Sequence, residues 1–132
     1  MIRQRKQPSC AGASRGIGAA IAQRLAQDGF AVVVNHAGQA APAEALVHSI
    51  EAAGGQALAA QADVRDAAAV RRMFDATGTI WGGVDVLVNN AGIMTLSAIA
   101  DTEDAAFDHQ IAVLIRSARH VWPAAAAAPG RR

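Results

Sequence analysis

Three glycines, Gly12, Gly16 and Gly18, form a GxxxGxG pattern at the start of a predicted helix. Glycine lets the backbone approach a pyrophosphate closely, and the N–H groups at the start of a helix attract its charge. Glycine clusters also occur in ordinary turns. Here, however, an amphipathic helix follows, and the next predicted strand ends about 20 residues later, at the spacing of a dinucleotide fold. The pattern therefore predicts a nucleotide-binding loop.

The other residues able to do chemistry suggest no second site. The four histidines have no metal-ligand spacing with one another or with a carboxylate pair, so we predict no metal site. No base partner for Cys10 can be named from the sequence, and we interpret this residue as a small apolar strand end. Asp101, Glu103 and Asp104 suit the dipole at a helix start and need no catalytic role.

The charge is unevenly distributed along the chain. The net charge is only +1, but residues 1–10 and 114–132 carry basic residues and no acidic ones. Basic ends can indicate nucleic-acid binding. These basic residues are few, and no aromatic residue is interleaved with the N-terminal ones. We therefore expect no nucleic-acid partner.

Helix-like and strand-like periodicities alternate along the body of the chain. The predicted strands are residues 30–34, 57–62 and 84–88. The helices are predicted from four apolar stripes, which are Ile17/Ile21/Leu25, Leu46/Val47/Ile50, Val70/Met73/Phe74 and Phe107/Ile111/Ile115/Ala118/Trp122. Glycines at 29, 54 and 82 are placed to end the first three helices, and Asp101 or Thr102 can cap the fourth.

This alternation predicts an α/β fold with a parallel sheet and helices on both faces, an incomplete Rossmann-type doubly wound domain. The 132 residues suffice for about one domain, and a hydrophobic content of 52% excludes a disordered chain. A single cysteine excludes an internal disulfide framework. No apolar run approaches the ~18 residues of a membrane span, and no signal peptide is evident, so we expect a cytoplasmic location without a membrane partner.

Two segments carry a resemblance to a known family. Gly12-Ala13-Ser14-Arg15-Gly16-Ile17-Gly18 resembles the cofactor loop of the short-chain dehydrogenase/reductase family. Asn89-Asn90-Ala91-Gly92 matches its second signature, and Asp63-Val64 stands where the family contacts the adenine ring. The resemblance covers about residues 11–113. It implies an oxidoreductase that moves a hydride between a nicotinamide cofactor and a carbonyl, either a ketone or a 3-oxoacyl group. It also leaves room for a homo-oligomer.

Two positions favour NADP(H) over NAD(H). An acidic residue after the second strand would bind both ribose hydroxyls and repel a 2′-phosphate, but Asn35 occupies that place. Arg15 is placed to meet a 2′-phosphate in family members with this loop. The cofactor-binding residues that the resemblance implies are Gly12, Ser14, Arg15, Gly16, Ile17, Gly18, Asn35, Asp63, Val64, Asn89, Ala91 and Gly92.

The chain also departs from the family pattern. Ala11 replaces a threonine, and Leu114 stands where an active-site asparagine follows Ile111-Ala112-Val113. The catalytic serine strand and the Tyr-x-x-x-Lys helix of the family are missing, since the chain has no tyrosine and its only lysine is Lys6. We therefore assign no catalytic residue and expect the chain alone to be inactive. The alternatives are a non-catalytic nucleotide-binding or interaction module, or an unstable gene fragment.

The departures coincide with the two ends. We expect an atypical basic segment (1–10), a partial Rossmann NADP-binding domain (11–122) and a low-complexity tail (123–132), as after a frameshift or in a fragment. The family's first strand is central and buried, and buried unpaired charges cost several kcal/mol each. The segment with Arg3, Arg5, Lys6 and Pro8 is therefore expected to stay out of the sheet.

Overall fold

The computed structural model describes residues 8–11, 13–93 and 103–121, in which strands and helices alternate. The strands are β1 (Pro8–Ala11), β2 (Ala31–His36), β3 (Gln56–Gln61) and β4 (Val86–Asn89). The helices are α1 (Gly16–Gln27), α2 (Ala41–Ala52), α3 (Ala67–Trp81) and α4 (Asp104–Ile111). A π-helical stretch (Ala112–Arg116) continues α4.

The four strands form one parallel sheet in the order β3-β2-β1-β4. From β1 the chain moves outward through β2 to β3, then returns to the opposite side of β1 to form β4. The direction of winding therefore changes beside β1, which makes this a topological switch point. The predicted class, a partial doubly wound α/β fold, is confirmed.

The centre of the core is β2, whose six residues are all buried. Val32 and Val34 belong to a cluster with residues of α1 and α2, whereas Val33 belongs to a cluster with Phe74 of α3 and Val121. Successive strand residues point to opposite faces. Helices therefore cover both faces of the sheet, as the alternating pattern predicts.

The expectation that the N-terminal segment stays out of the sheet is wrong for its last residues. Pro8–Ala11 form β1 between β2 and β4, and Ser9 pairs with both Val33 and Leu87. None of these four residues is charged, so the strand joins the sheet without burying a charge. Pro8 is the first strand residue, a position where proline is tolerated in a sheet. The charged residues Arg3, Arg5 and Lys6 lie outside the described part of the chain.

In α1 the buried face is displaced from the predicted stripe. Ile17 is 74% exposed, while Ile21 and Leu25 are partly buried at the margin of the core. The fully buried positions follow one residue later, at Gly18, Ala22 and Ala26. Small side chains allow α1 to lie close to the sheet, so packing distance determines which face is buried.

The predicted face of the last helix is also wrong. Phe107 is 58% exposed and Ile115 is 61% exposed, and the buried positions are instead Val113, Ser117 and Val121. A π-helical turn contains more residues than an α-helical one, so the positions that follow it fall out of step with a 3.6-residue period set before it. Phe107 precedes this stretch, and nothing in the structure explains its exposure. Glu103 occupies the N-cap position of α4, and its side chain makes no capping hydrogen bond. Asp101, Thr102 and Trp122 lie outside the described residues.

The two middle helices match the prediction. In α2, Leu46 and Ile50 are buried, and in α3 the stripe Val70, Met73 and Phe74 is buried. Gly82 ends α3 in the left-handed conformation, with a φ of 86°, which glycine adopts without strain.

Close packing between α2 and β3 yields a prediction for Gly55→Ala. An added Cβ would lie 2.7 Å from Ile50 Cγ2, 3.1 Å from the Ile50 carbonyl oxygen and 3.3 Å from Ala26 Cβ. Ile50 is buried, and its branched Cβ holds Cγ2 close to the backbone, so the clash cannot be relieved by swinging away the end of a flexible side chain. Overpacking of this kind costs about 1–3 kcal/mol, and urea denaturation should show that loss. Gly38→Ala is the matched control because its added Cβ meets no atom within 4 Å; equal midpoints for the two variants would contradict the packing argument.

Candidate functional site

The loops that follow the four strands meet at the carboxyl edge of the sheet and enclose a cleft of about 380 Å³. Each of the four loops contributes residues to the lining of this cleft. The cleft lies where the strand order reverses, which is where ligand sites form in sheets of this kind. The lining residues are Ser14, Arg15, Asn35, Ala37, Ala62, Asp63, Val64, Arg65, Asn90, Ala91, Gly92, Ile93, His109 and Val113.

The loop after β1 brings the start of α1 to this edge. The Ala13 N–H donates to the Asn35 carbonyl oxygen at 3.2 Å, which ties the loop to the end of β2. Arg15 precedes α1 in an extended conformation, and its own side chain makes no capping hydrogen bond. Gly16 has a φ of 57°, which explains the need for glycine at that point. A helix start beside an arginine attracts an anion.

Asn35 has a structural role that the sequence did not reveal. Its side chain is 2% exposed, and Nδ2 donates to the Ala62 carbonyl oxygen at 2.9 Å and to that of Ala60 at 3.3 Å. The amide therefore joins the end of β2 to the end of β3. A carboxylate at this position has no hydrogen to donate to either carbonyl.

Asp63 lies beyond β3 and is bound by Arg65. Arg65 Nε donates to both carboxylate oxygens at 3.0 Å, and the Arg65 backbone N–H donates to Oδ1 at 2.9 Å. The side-chain hydrogen bond from Arg65 holds the pKa of Asp63 below its usual value, against the opposing effect of partial burial. The carboxylate therefore stays ionised at the edge of the cleft.

Arg65 also contacts the helix on the far side of the cleft. Its Nη1 lies 2.8 Å from His109 Nδ1, and since arginine only donates, this nitrogen accepts. Sequence reasoning missed both residues as parts of the site. Their separation along the chain gives no signal, and only the docking of α4 brings them together.

Below this ion pair, Val64 anchors the floor of the cleft. It is buried against Val113, with Ala91 and Ile93 packed beside them. The Val64 carbonyl oxygen lies 3.3 Å from His120 Nδ1, a second link to the C-terminal helical segment. The side chain of Val64 therefore positions the cleft wall through apolar packing.

The structure brings most, but not all, of the predicted residues to the cleft. Ser14, Arg15, Asn35, Asp63, Val64, Ala91 and Gly92 line it. Gly16, Ile17 and Gly18 form the first turn of α1, and Asn89 is the last residue of β4, opposite Ala11. Gly12 lies outside the described residues. At Gly92 a Cβ would approach Leu114 Cδ2 to 3.1 Å, so glycine keeps this wall thin.

A second cavity of about 340 Å³ adjoins the first and shares Ser14, Arg15 and Ala37 with it. No sequence pattern indicated this cavity. Its remaining lining residues are His36, Gly38, Gln39 and Pro42. None of the lining residues is acidic, and Arg15 supplies a positive charge. The arrangement suits a doubly charged anionic group.

The described residues contain neither a metal-ligand cluster nor a membrane-spanning helix. No three His, Cys, Asp or Glu side chains in ranges 8–11, 13–93 and 103–121 are grouped as metal ligands. In the same ranges no helix is both long enough and apolar enough to cross a membrane.

Comparison with known proteins gives consistent matches. The family model described as short chain dehydrogenase matches residues 9–129. An uncharacterized oxidoreductase of Methylorubrum extorquens is 52% identical over 93 residues, which is 70% of this chain and 38% of that protein. The 3-oxoacyl-[acyl-carrier-protein] reductase of Staphylococcus aureus is 47% identical over 92 residues, 70% of this chain and 37% of that protein.

A solved structure is similar to this chain along nearly its whole length. The short chain dehydrogenase of Burkholderia cenocepacia, in complex with NADP, superposes with a TM-score of 0.89 at 41% identity. The match covers 98% of this chain and 54% of that one. The chain thus spans about half the length of this neighbour and between a third and two fifths of the two curated relatives.

The Asn35 bridge predicts the effect of Asn35→Asp. The introduced carboxylate would lose both donors and face the Ala60 and Ala62 carbonyl oxygens in a buried place. We expect a loss of stability of at least about 2 kcal/mol at pH 8. The loss should shrink at pH 4, where the neutral acid can donate again. Thermal unfolding at both pH values measures this. Gln23→Glu, which adds the same charge on an exposed helix face, is the control, and equal stability of the two variants would count against the bridge.

Proposed function

The chain belongs to the short-chain dehydrogenase family, and we propose that its cleft binds NADP(H) for an oxidoreductase reaction that interconverts a carbonyl and an alcohol. One observation carries the proposal. The start of α1, the Arg15 cation and the ionised Asp63 lie along one continuous cleft at the switch point of the sheet. The family membership supplies the reaction class.

We assign the parts of the cofactor from the charges along the cleft. The start of α1 suits the pyrophosphate, because its N–H groups and dipole favour negative charge. Asp63, which remains ionised, suits the exocyclic amino group of adenine, a hydrogen-bond donor. Ala91 and Gly92 form the wall on the β4 side, where a flat nicotinamide ring can approach the backbone. The donor set therefore fits a dinucleotide.

The preference for NADP(H) rests on Arg15 and Asn35. Arg15 lines both cavities, so a 2′-phosphate in the smaller one lies within its reach. Asn35 carries no charge, and its amide hydrogens are directed to the Ala60 and Ala62 carbonyl oxygens. The carboxylate that would repel a 2′-phosphate is therefore lacking. The NADP complex of the similar Burkholderia cenocepacia protein supports the same choice.

NADPH, when bound, supplies a hydride from nicotinamide C4 to a carbonyl carbon. The carbonyl oxygen must then receive a proton from a positioned acid. In the family a tyrosine assisted by a lysine serves this purpose, but the 132 residues contain no tyrosine and only Lys6. Leu114 is half exposed beside Gly92, where an apolar side chain neither donates nor orders water. The residues of this chain therefore support cofactor binding more strongly than catalytic turnover of a carbonyl substrate.

A second candidate function follows from that contrast: a module that binds the dinucleotide without chemistry. The cofactor residues are present, while the described residues that line the cleft include neither a tyrosine nor a lysine. Cofactor binding is common to both candidates, and proton transfer separates them.

Arg15→Ala tests the cofactor assignment. The unmodified chain should bind NADPH at least about tenfold more tightly than NADH, because a charge-assisted phosphate contact is worth about 1.5–3 kcal/mol. Removing the guanidinium should narrow this ratio and leave NADH affinity nearly unchanged. Calorimetric titration measures both cofactors. Arg71→Ala, which removes an exposed arginine of α3 outside the cleft, should preserve the ratio. Equal affinities of the unmodified chain for the two cofactors would refute the assignment.

The 132-residue chain alone should not oxidise NADPH with added carbonyl compounds. Loss of general acid catalysis alone removes about 10²–10⁴-fold in rate. The assay follows NADPH absorbance with a panel of ketones and 3-oxoacyl thioesters. Steady turnover that depends on the carbonyl and disappears in a Gly16→Val variant would overturn this expectation and favour an unrecognised proton donor in the chain.

A further inference from the structure

We propose that Arg65, anchored by His109, is a positioning residue that makes the cofactor site selective for the base of the dinucleotide. The inference rests on the proposed NADP(H) site, in which Asp63 accepts from the amino group of adenine. Arg65 and His109 line the same cleft, and the assignment of the cofactor parts gives neither of them a purpose. The expected consequence is discrimination against hypoxanthine, a base that carries a carbonyl oxygen in place of the amino group.

The carboxylate of Asp63 is nearly saturated by this one neighbour. The backbone N–H of Arg65 donates to Oδ1 at 2.9 Å, Nε lies 3.0 Å from both carboxylate oxygens, and Nη2 donates to Oδ2. A carboxylate offers about four acceptor positions. Three N–H groups of Arg65 therefore leave about one position for a ligand. Because the guanidinium is a rigid planar fork, it also fixes the direction of that position.

His109 holds the guanidinium from the other side of the cleft. Its Nδ1 lies 2.8 Å from Arg65 Nη1, the nitrogen of the fork that the carboxylate does not use. Among the described residues, Asp63 and His109 are the two side chains to which Arg65 donates. The Arg65 side chain is 43% exposed, and an arginine so exposed ordinarily rotates freely. Contacts at both ends of its guanidinium restrict that rotation.

The backbone that carries these side chains is fixed as well. The Asp63 carbonyl oxygen accepts from the Asp66 N–H at 2.9 Å, which closes a turn around Arg65. On the other side of Asp63, the Ala62 N–H donates to the His36 carbonyl oxygen at 3.0 Å. The side-chain torsions of Asp63 are therefore the main freedom left to the acceptor, and the contacts with Arg65 remove it.

An oriented acceptor discriminates between the two bases. The amino group of adenine donates hydrogen bonds, whereas the oxygen that replaces it in hypoxanthine only accepts. A carboxylate held towards that oxygen gains no hydrogen bond and is repelled by it. A carboxylate that can rotate turns towards solvent and avoids the repulsion. Loss of Arg65 should therefore weaken the binding of adenine and relieve the penalty on hypoxanthine.

This role requires the fork of the arginine and not its charge alone. Lysine keeps the positive charge, but its ammonium is a point charge that cannot hold both carboxylate oxygens and His109 in one plane. Arg65→Lys should therefore resemble Arg65→Ala. At position 109 the requirement is an acceptor for Arg65 Nη1, which glutamine supplies and leucine does not. His109→Gln should therefore retain the selectivity that His109→Leu reduces.

The experiment measures two dissociation constants of the full chain by calorimetry at pH 7.5, one for NADP⁺ and one for nicotinamide hypoxanthine dinucleotide phosphate. Their ratio, hypoxanthine form over adenine form, reports selectivity for the base. The ligands share their phosphates, riboses and nicotinamide, so a general loss of affinity cancels in the ratio. Arg71→Lys is the control for the Arg65 variants, because Arg71 is exposed on α3 and does not line the cleft.

The ratio should be about tenfold or more in the unmodified chain, in Arg71→Lys and in His109→Gln, on the scale of one hydrogen bond to a charged group. It should fall to about threefold or less in both Arg65 variants and by about twofold or more in His109→Leu.

Three results would overturn the positioning role and leave the proposed function intact. These are an unchanged ratio in Arg65→Ala, full recovery of the ratio in Arg65→Lys, and an unchanged ratio in His109→Leu. A ratio near one in an unmodified chain that binds NADP⁺ would overturn the adenine assignment and this inference with it. Failure of the unmodified chain to bind NADP⁺ at all would refute the proposed function itself.

Discussion

Strand β2 is buried on both faces, so every polar group that it carries must be satisfied away from water. Backbone groups pair with β1 and β3, and the alternating valines divide between the two helical layers. Near its end, β2 carries a polar side chain among these valines, that of Asn35, and this side chain is buried as well. Its amide donates to two carbonyl oxygens where β3 ends, which satisfies those groups and fixes the spacing of the two loops.

The cleft depends on that spacing. The Ala13 N–H binds the Asn35 carbonyl oxygen, so the glycine loop and the ends of β2 and β3 are held as one unit. Arg15 and His36 then share the smaller cavity, and Asp63 lines the larger one. The opposite wall depends on the docking of α4, through Val113 on Val64 and His109 on Arg65. Positive charge near α1 and negative charge at Asp63 are thus separated along one groove.

The charged side chains of the cleft are suited to binding a ligand, and the interactions that they make differ in strength. The Arg65–Asp63 pair is partly exposed, so solvent screens it and its contribution to stability is small. Its importance lies in keeping the carboxylate ionised and oriented. Among the residues that line the two cavities with Arg15, the one acidic residue is Asp63, and Arg65 already binds it. Arg15 is therefore the arginine best placed to gain from a bound phosphate.

Short-range periodicity and the backbone freedom of glycine were enough to predict the order of the elements after β1, the parallel sheet and the position of the glycine loop. The sequence by itself also determined the stripes of α2 and α3, whose large apolar residues have one way to be buried. It failed for β1, where the nearby charges of residues 3–6 concealed an uncharged strand that begins at Pro8.

Tertiary structure decided the features that depend on distances between elements. The buried face of α1 was set by how closely the helix approaches the sheet, which selected Gly18, Ala22 and Ala26 over the larger Ile17. The buried face after α4 was set by a π-helical stretch that no periodicity indicated. The bridge at Asn35, the contact between Arg65 and His109, and the cavity shared by Arg15 and His36 join residues from different loops. Their partners are fixed only when the strand ends come together, so no local pattern could specify them.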